Sequence, residues 1–211
     1  MMKKSVLIYL VLFAALTASA DDKSSALLSK MAATIGGWKS YRVEFSLKAD
    51  DAAKPVAGDY TVSGRTYHMQ AGGNELFGDG KLKYQVDHAN REVTVDRVDP
   101  ADRSIMADPT RIFEFSDASF SHAYAGQQTW RGRRCDSVKL TAKESGSPLS
   151  AITLMIDAGT GLPAGLSYKV EGVSQPVEID VIRIAPLADT ADAGLKFDKS
   201  RYKGYEIMDF R

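Results

Sequence analysis

The chain has 211 residues, 27 basic and 27 acidic, with 44% hydrophobic residues and one cysteine. Balanced charge excludes a protein held to nucleic acid or to an anionic membrane by its overall charge. A single cysteine excludes an internal disulfide, so stability rests on packing, and the length is ample for one domain with its own core.

The chain opens MMKKSVLIYLVLFAALTASADD. Lys3 and Lys4 precede an apolar run from Val6 to Leu16, and Ala18-Ser19-Ala20 has the small-x-small form of a signal-peptidase site. This predicts a secretory signal cleaved after Ala20, too short for a membrane span. The mature domain, 21–211, keeps 191 residues with 25 basic against 27 acidic side chains, a net charge of −2. No cysteine stands at the cleavage point, so no lipid anchor is expected. Cys135 is expected to be a buried small hydrophobe.

From Ser24 to Ile35 the apolar residues Leu27, Met31 and Ile35 fall four apart, with Leu28 and Ala32 alongside, which predicts an amphipathic helix opened by a serine cap and closed by Gly36-Gly37. Strand signals follow: SYRVEFSLK (40–48), GDYTVSG (58–64), RTYHMQ (65–70), NELFGD (74–79), KLKYQVD (81–87) and REVTVDRV (91–98). In YRVEFSLK, Tyr41, Val43, Phe45 and Leu47 alternate with polar residues, the mark of a strand with one dry face. Gly, Asp, Asn and Pro fill the spacers, so successive antiparallel hairpins are expected; parallel pairing would need crossovers for which these spacers have no room.

Between Asp99 and Phe115 the alternation fails, and a short helix starting near Pro109 with Asp108 as its cap is expected. Strands resume at 119–126, 135–143, 151–157, 162–171 and 177–184, and the tail supplies one more short strand. RGRR (131–134) reads as an exposed hairpin turn rather than a binding patch. The sum is a mostly β (α+β) domain of about 11 strands in one large antiparallel sheet that must curl as strand twist accumulates. One long helix and short ones cover it, and if most alternating strands point their apolar faces inward, the concave surface exceeds what those helices fill and leaves an apolar cavity.

Catalytic and metal chemistry find no pattern. His68, His88 and His122 lie far apart without partners at metal-ligand spacing, and are read as structural or solvated. There is no G-x-S-x-G elbow, and Cys135 has no evident catalytic partner. GDGK (78–81) fails as a phosphate loop, because Glu75 stands where the first glycine belongs and Leu82 where Ser or Thr belongs. No enzyme, cofactor or metal is expected.

The ordered series YRVEFSLK, GDYTVSGRTYHM, ELFGDGKLKYQVD, REVTV, DPTRIFEF, ITLMIDAGTGLPAGLSYK and FDKSRYKGYEIMDFR resembles the LolA-like carriers of outer-membrane lipoproteins over almost the whole mature chain. Phe45 matches the phenylalanine of the family's first strand, Gly58 to Tyr60 the opening of its second, Asp79-Gly80-Lys81 its turn, and the stretch around Ile112 and Phe113 its short lid helix. Gly64 stands where the family's lid-latching arginine belongs, with Arg65 one residue on, and Thr61 replaces an expected tryptophan. The resemblance is therefore to a divergent member: either Arg65 latches from a shifted register, or the latch is missing.

The resemblance implies an incomplete, highly curved antiparallel β-barrel with helices as a lid over its concave face, and a periplasmic carrier that shields lipoprotein acyl chains, taking them from an inner-membrane lipoprotein-releasing transporter to an outer-membrane receptor; a monomer is expected. With strand parity it gives the acyl-contact set Val43, Phe45, Leu47, Tyr60, Val62, Tyr67, Met69, Leu82, Tyr84, Ile112 and Phe113, under a lid of Leu27, Met31, Ile35 and Arg65. Each burial of a CH₂ is worth about 0.8 kcal/mol, so an acyl chain of ~14 methylenes represents on the order of 10 kcal/mol of shielding. Met69, Met106 and Met155 would give such a wall adaptable side chains. The alternative is an envelope lipid-sensing or protein-binding regulatory module on the same scaffold, favoured if the concave face is filled.

Overall fold

The structure is a computed structural model that describes residues 22–48, 54–98, 113, 115, 120–143, 151–169, 175–188 and 194–211. The leader, Met106, Ile112 and the expected helix start at Asp108-Pro109 lie outside the described residues. One helix, α1 (22–36), precedes β1 (Ser40–Lys48), β2 (Val56–Ser63), β3 (Thr66–Ala71), β4 (Asn74–Gly78), β5 (Leu82–Asp87) and β6 (Glu92–Arg97). Then come β7 (Phe120–Trp130), β8 (Arg133–Ala142), β9 (Ala151–Asp157), β10 (Pro163–Tyr168), β11 (Val177–Pro186) and β12 (Glu206–Asp209). The twelve strands follow the order β12-β6-β5-β4-β3-β2-β1-β11-β10-β9-β8-β7, which does not close. The expected mostly β, unclosed architecture with an N-terminal helix is what the chain adopts. Among the described residues no helix is long and apolar enough to cross a membrane.

The chain divides into two compact units, residues up to Ala33 with Phe115–Pro176, and Thr34–Glu114 with Val177–Arg211. In the first, β7 to β10 are antiparallel neighbours whose register lines up Tyr124, Val138, Leu154 and Leu166 across one face. The start of α1 is pinned there by polar contacts. Lys23 Nζ lies 3.2 Å from the Asp136 carboxylate and 3.8 Å from the Tyr124 ring centroid, and the Tyr124 hydroxyl donates to Asp136 at 2.7 Å. Ser24 Oγ bonds His122 Nδ1 at 2.9 Å.

The buried stripe of α1 is Ser24, Leu28, Met31 and Ile35, while Leu27 is half-buried. The expected stripe through Leu27 is thus one residue out at its N-terminal end. Spacings of four, three and four keep the stripe in line on a helix with 3.6 residues per turn, whereas a strict four drifts around it. Cys135 is buried among Met155, Ala164 and Trp130, as expected of a small hydrophobe.

In the second unit the hairpins are closed by the turn residues the sequence supplies. Gly72 and Gly73 (φ +59° and +81°) form the two-residue link between Ala71 and Asn74, a backbone only glycine adopts without strain. At the next hairpin the Asp79 carboxylate accepts from the amides of Lys81 and Leu82, both at 2.8 Å. One pairing departs from the antiparallel expectation: β12 runs parallel to β6, with Ile207 opposite Val93. Short spacers do forbid parallel pairs, but β6 and β12 are separated by more than half the chain, so the crossover constraint does not apply to them.

The register also shows that the dry face changes sides. Directly paired residues share a face, so Tyr41, Val43, Phe45, Tyr60, Val62 and Tyr67 of β1 to β3 form one apolar surface. Leu76, Lys83, Gln85 and Thr94 continue that surface across β4 to β6, and it turns mostly polar there. On β4 to β6 the buried residues are instead Phe77, Val86, Val93 and Val95, on the opposite face, where Phe197, Tyr202, Tyr205 and Ile207 of the C-terminal segment pack on them.

Two aromatic rings lie over glycines of the next strand. A Cβ at Gly58 would sit 2.5 Å from the Phe45 ring, and one at Gly78 would sit 2.2 Å from Tyr67. Gly78→Ala is therefore expected to lower stability by about 1–3 kcal/mol. Gly36→Ala, with no atom within 4 Å of the added carbon, should stay within about 1 kcal/mol of the parent in chemical denaturation.

Candidate functional site

Two features of the second unit carry chemistry. The first is the apolar surface of β1 to β3. Trp38, Tyr41, Tyr60 and Tyr67 make a chain of ring contacts with centroids 6.1, 6.4 and 6.2 Å apart, in the range where tilted and edge-on aromatic pairs attract. Val43, Phe45 and Val62 lie on the same face. All of these but Trp38 are buried, from 2% exposure at Tyr67 to 8% at Phe45. Val181 of β11, opposite Phe45, extends the surface, with Ile179 opposite Leu47 and Ile184 opposite Val43.

The structure therefore brings together Val43, Phe45, Leu47, Tyr60, Val62, Tyr67 and Met69 on one face. Leu82 and Tyr84 lie on the other, in register with Arg97 and Val95, and the Tyr84 ring stacks on Phe197 at 4.4 Å. Phe113 is buried in a turn, and Ile112 is outside the described residues. Met31 and Ile35 are buried on α1. Arg65 is exposed in the β2–β3 turn, where its Nη2 donates to the Gly80 carbonyl at 3.1 Å.

The second feature was hidden by distance along the sequence. Glu75, on β4, is buried, and its two carboxylate oxygens gather four side chains. His68 Nε2 lies 2.7 Å from Oε2 and His88 Nε2 lies 2.8 Å from Oε1. Gln70 Nε2 donates to Oε2 at 3.2 Å and the Tyr202 hydroxyl to Oε1 at 3.0 Å. Behind them the His68 ring stacks on Phe77 at 4.1 Å, and the Tyr205 hydroxyl bonds His88 Nδ1 at 2.8 Å. His68 and His88, far apart in sequence, are structural residues that meet at this one carboxylate. The signal was present in HMQAGGNE: a two-residue turn at Gly72-Gly73 pairs Gln70 with Glu75 and puts His68 diagonally across on the same face.

Burial pushes the Glu75 carboxyl up, but the hydrogen bonds from His68, His88 and Tyr202 outweigh it and hold the group below its ordinary value. Burial, and then the adjacent carboxylate, push the Tyr202 phenol well above its usual range. The cluster is thus a carboxylate with its acceptor sites filled, and both His88 nitrogens are engaged. Among the described residues no group of three or more His, Cys, Asp or Glu is arranged to hold a metal. Beside the cluster a groove of about 520 Å³ is lined by Ala57, Gly58, Ala71 and the Gly72-Gly73 turn together with Arg42, Asp59, Gln70 and His88. Its charges are partly matched within the protein, since Arg42 reaches Asp59 at 3.4 Å.

No family model matches the chain, and no curated protein matches it. Among solved structures it is similar to an uncharacterized conserved protein from Thermus thermophilus, with a TM-score of 0.58 at 8% identity, over 89% of this chain and 99% of that one. It is also similar to a LolA superfamily protein from Nitrosomonas europaea, with a TM-score of 0.42 at 9% identity, over 83% of this chain and 98% of that one. The MucA/MucB complex of Pseudomonas aeruginosa gives a TM-score of 0.46 at 14% identity, over 84% of this chain and 62% of that one. These are likenesses of fold.

Glu75→Gln keeps the shape and removes the charge from a carboxylate that accepts several hydrogen bonds, so a loss of about 1–3 kcal/mol is expected at neutral pH. The sign of its pH dependence follows from the lowered folded pKa: the carboxylate stabilises the fold above the ordinary glutamate value of 4.5. That contribution is lost as pH falls through the lowered value. Urea denaturation at descending pH should show the gap between parent and variant closing in acid; a gap that is absent, or independent of pH, contradicts the assignment.

Proposed function

We propose that the chain is an exported, LolA-like carrier that shields lipoprotein acyl chains in the periplasm, with the face of β1 to β3 as its acyl-contacting wall. It works by binding, not by catalysis. The observation that carries this reading is the unbroken aromatic and aliphatic surface formed by Tyr41, Val43, Phe45, Tyr60, Val62 and Tyr67. Its support from sequence is the ordered motif series that runs through these same strands. Transfer from an inner-membrane releasing complex to an outer-membrane receptor follows from the resemblance.

In the state described here the wall is buried, so an acyl chain reaches it only when the packing over it opens. Such a carrier exchanges protein side chains for methylenes of the cargo, and the exchange is near balance when the displaced apolar area is similar. That same burial favours a second reading, a lipid-sensing or protein-binding module whose face stays filled by its own side chains.

Trp38 stands at one end of the ring chain and reports on the difference. In a Trp130→Phe background, a triacylated lipopeptide is expected to shift and quench Trp38 emission, and protein purified from the periplasm should carry triacylated lipoprotein by mass spectrometry. Unchanged Trp38 emission together with lipid-free protein would leave the module reading in place of the carrier.

A further inference from the structure

We propose that the β7–β8 hairpin tip, with the neighbouring β9–β10 turn and the middle of α1, forms a docking surface for an anionic phospholipid membrane. This goes beyond acyl shielding, because it concerns headgroups and a different unit of the chain. Arg131 and Arg134 stand three residues apart at the hairpin tip, and Lys30 reaches the β9–β10 turn that is hydrogen-bonded to it. Arg131 occupies the apex of the two-residue turn between Trp130 and Arg133, followed by Gly132. Arg134 is exposed one step down β8, and its carbonyl accepts the Ala158 amide at 2.9 Å, which sets the β9–β10 turn against the tip. At the far end of that turn the Lys30 side chain leans over Gly161, its Cε 3.6 Å from where a Cβ would stand.

The turn itself shows that the apex cation has a cost. Arg131 has φ +48° and Gly132 φ +81°, the pair of left-handed residues for which Asn-Gly or Asp-Gly is the usual choice. An arginine is held there although a smaller residue would fit the backbone better. Asp157, in register with Cys135, caps its own turn: its Oδ1 accepts from the Gly159 and Thr160 amides at 2.9 and 2.8 Å and from the Thr160 hydroxyl. Arg133, between the two exposed arginines, donates to the Ala164 carbonyl at 2.8 Å and braces the tip from within.

Trp130 favours a membrane over an acidic protein as the partner. Its indole is half-buried, with its body against Cys135, Met155 and Ala164 and the Arg131 guanidinium 5.5 Å from the ring centroid. An aromatic at a polar–apolar boundary with a cation beside it at the hairpin tip is the composition of an interfacial anchor, and juxtamembrane cations gain from the negative surface potential of anionic lipid.

Cosedimentation of the mature chain with phosphatidylglycerol–phosphatidylcholine vesicles is expected to show binding that falls with salt and is absent on pure phosphatidylcholine. Arg131→Glu/Arg134→Glu is expected to lower partitioning by ~30-fold or more. Lys30→Glu weakens it in the same direction, and Arg183→Glu, at an exposed position of β11 in the other unit, leaves it unchanged. Should the double variant disturb the hairpin, as judged by circular dichroism, the single Arg134→Gln carries the test. In a Trp38→Phe background, docking should move Trp130 emission to the blue. Equal binding to neutral vesicles, indifference to the arginine substitutions, no vesicle binding, or capture of acidic polypeptide alone would each overturn the proposal. A failure here leaves the Trp38 result with acyl ligands unaffected.

Discussion

The second unit is organised around one buried carboxylate. Removing Glu75 from water is unfavourable unless its oxygens are paired, and the fold pairs them with groups from three separated segments: His68 and Gln70 on β3, His88 beyond β5, and Tyr202 on the returning C-terminal segment. Because each bond is charge-assisted, the register of β3 against β4 and the docking of the tail are specified by the same atom group. A slip of one residue would turn Glu75 to the opposite face and leave four polar side chains unmatched.

That position is also where the dry face of the sheet changes sides. Up to β3 the apolar residues face one way, and from β4 onward they face the other. A polar residue must sit near such a crossover, since neither face is wholly dry there, and a satisfied carboxylate fills the role. The C-terminal segment then becomes a necessity. The surface made by Phe77, Val86, Val93 and Val95 is capped by Tyr202 and Phe197, stacked on each other at 5.1 Å, while β12 completes the edge of β6. The tail is thus part of the core, and its four-residue 3₁₀ turn, Lys199–Tyr202, is opened by the Asp198 side chain accepting from the Ser200 amide.

Local pattern was enough for the elements, and global pairing decided the site. YRVEFSLK fixes its own dry face by alternation, and the Gly and Asp spacers announce hairpins because their backbone and side-chain chemistry closes turns without help. Tyr84 shows where that reasoning stops. KLKYQVD alternates as cleanly as YRVEFSLK, but alternation says only that one face is dry, and which side it takes depends on a segment more than a hundred residues away. Leu28 rather than Leu27 at the buried stripe is the same lesson on a smaller scale: adjacent leucines leave helix phase open until a partner surface selects it. The parallel pairing of β12 was beyond any reading of neighbouring spacers.

The two halves of the second unit differ in the kind of contact that holds them, and this bears on which of them can yield to a ligand. Under the tail, directional hydrogen bonds to Glu75 have no substitute in an acyl chain, so prying that face open strands a charge. Along β1 to β3 the ring-on-ring contacts, and the rings laid over Gly58 and Gly78, are of a kind that methylene groups replace in like measure. A greasy cargo that displaces packing there recovers much of what it breaks. The second unit is thus held by directional, charge-assisted bonds under the tail and by non-directional ring packing along β1 to β3.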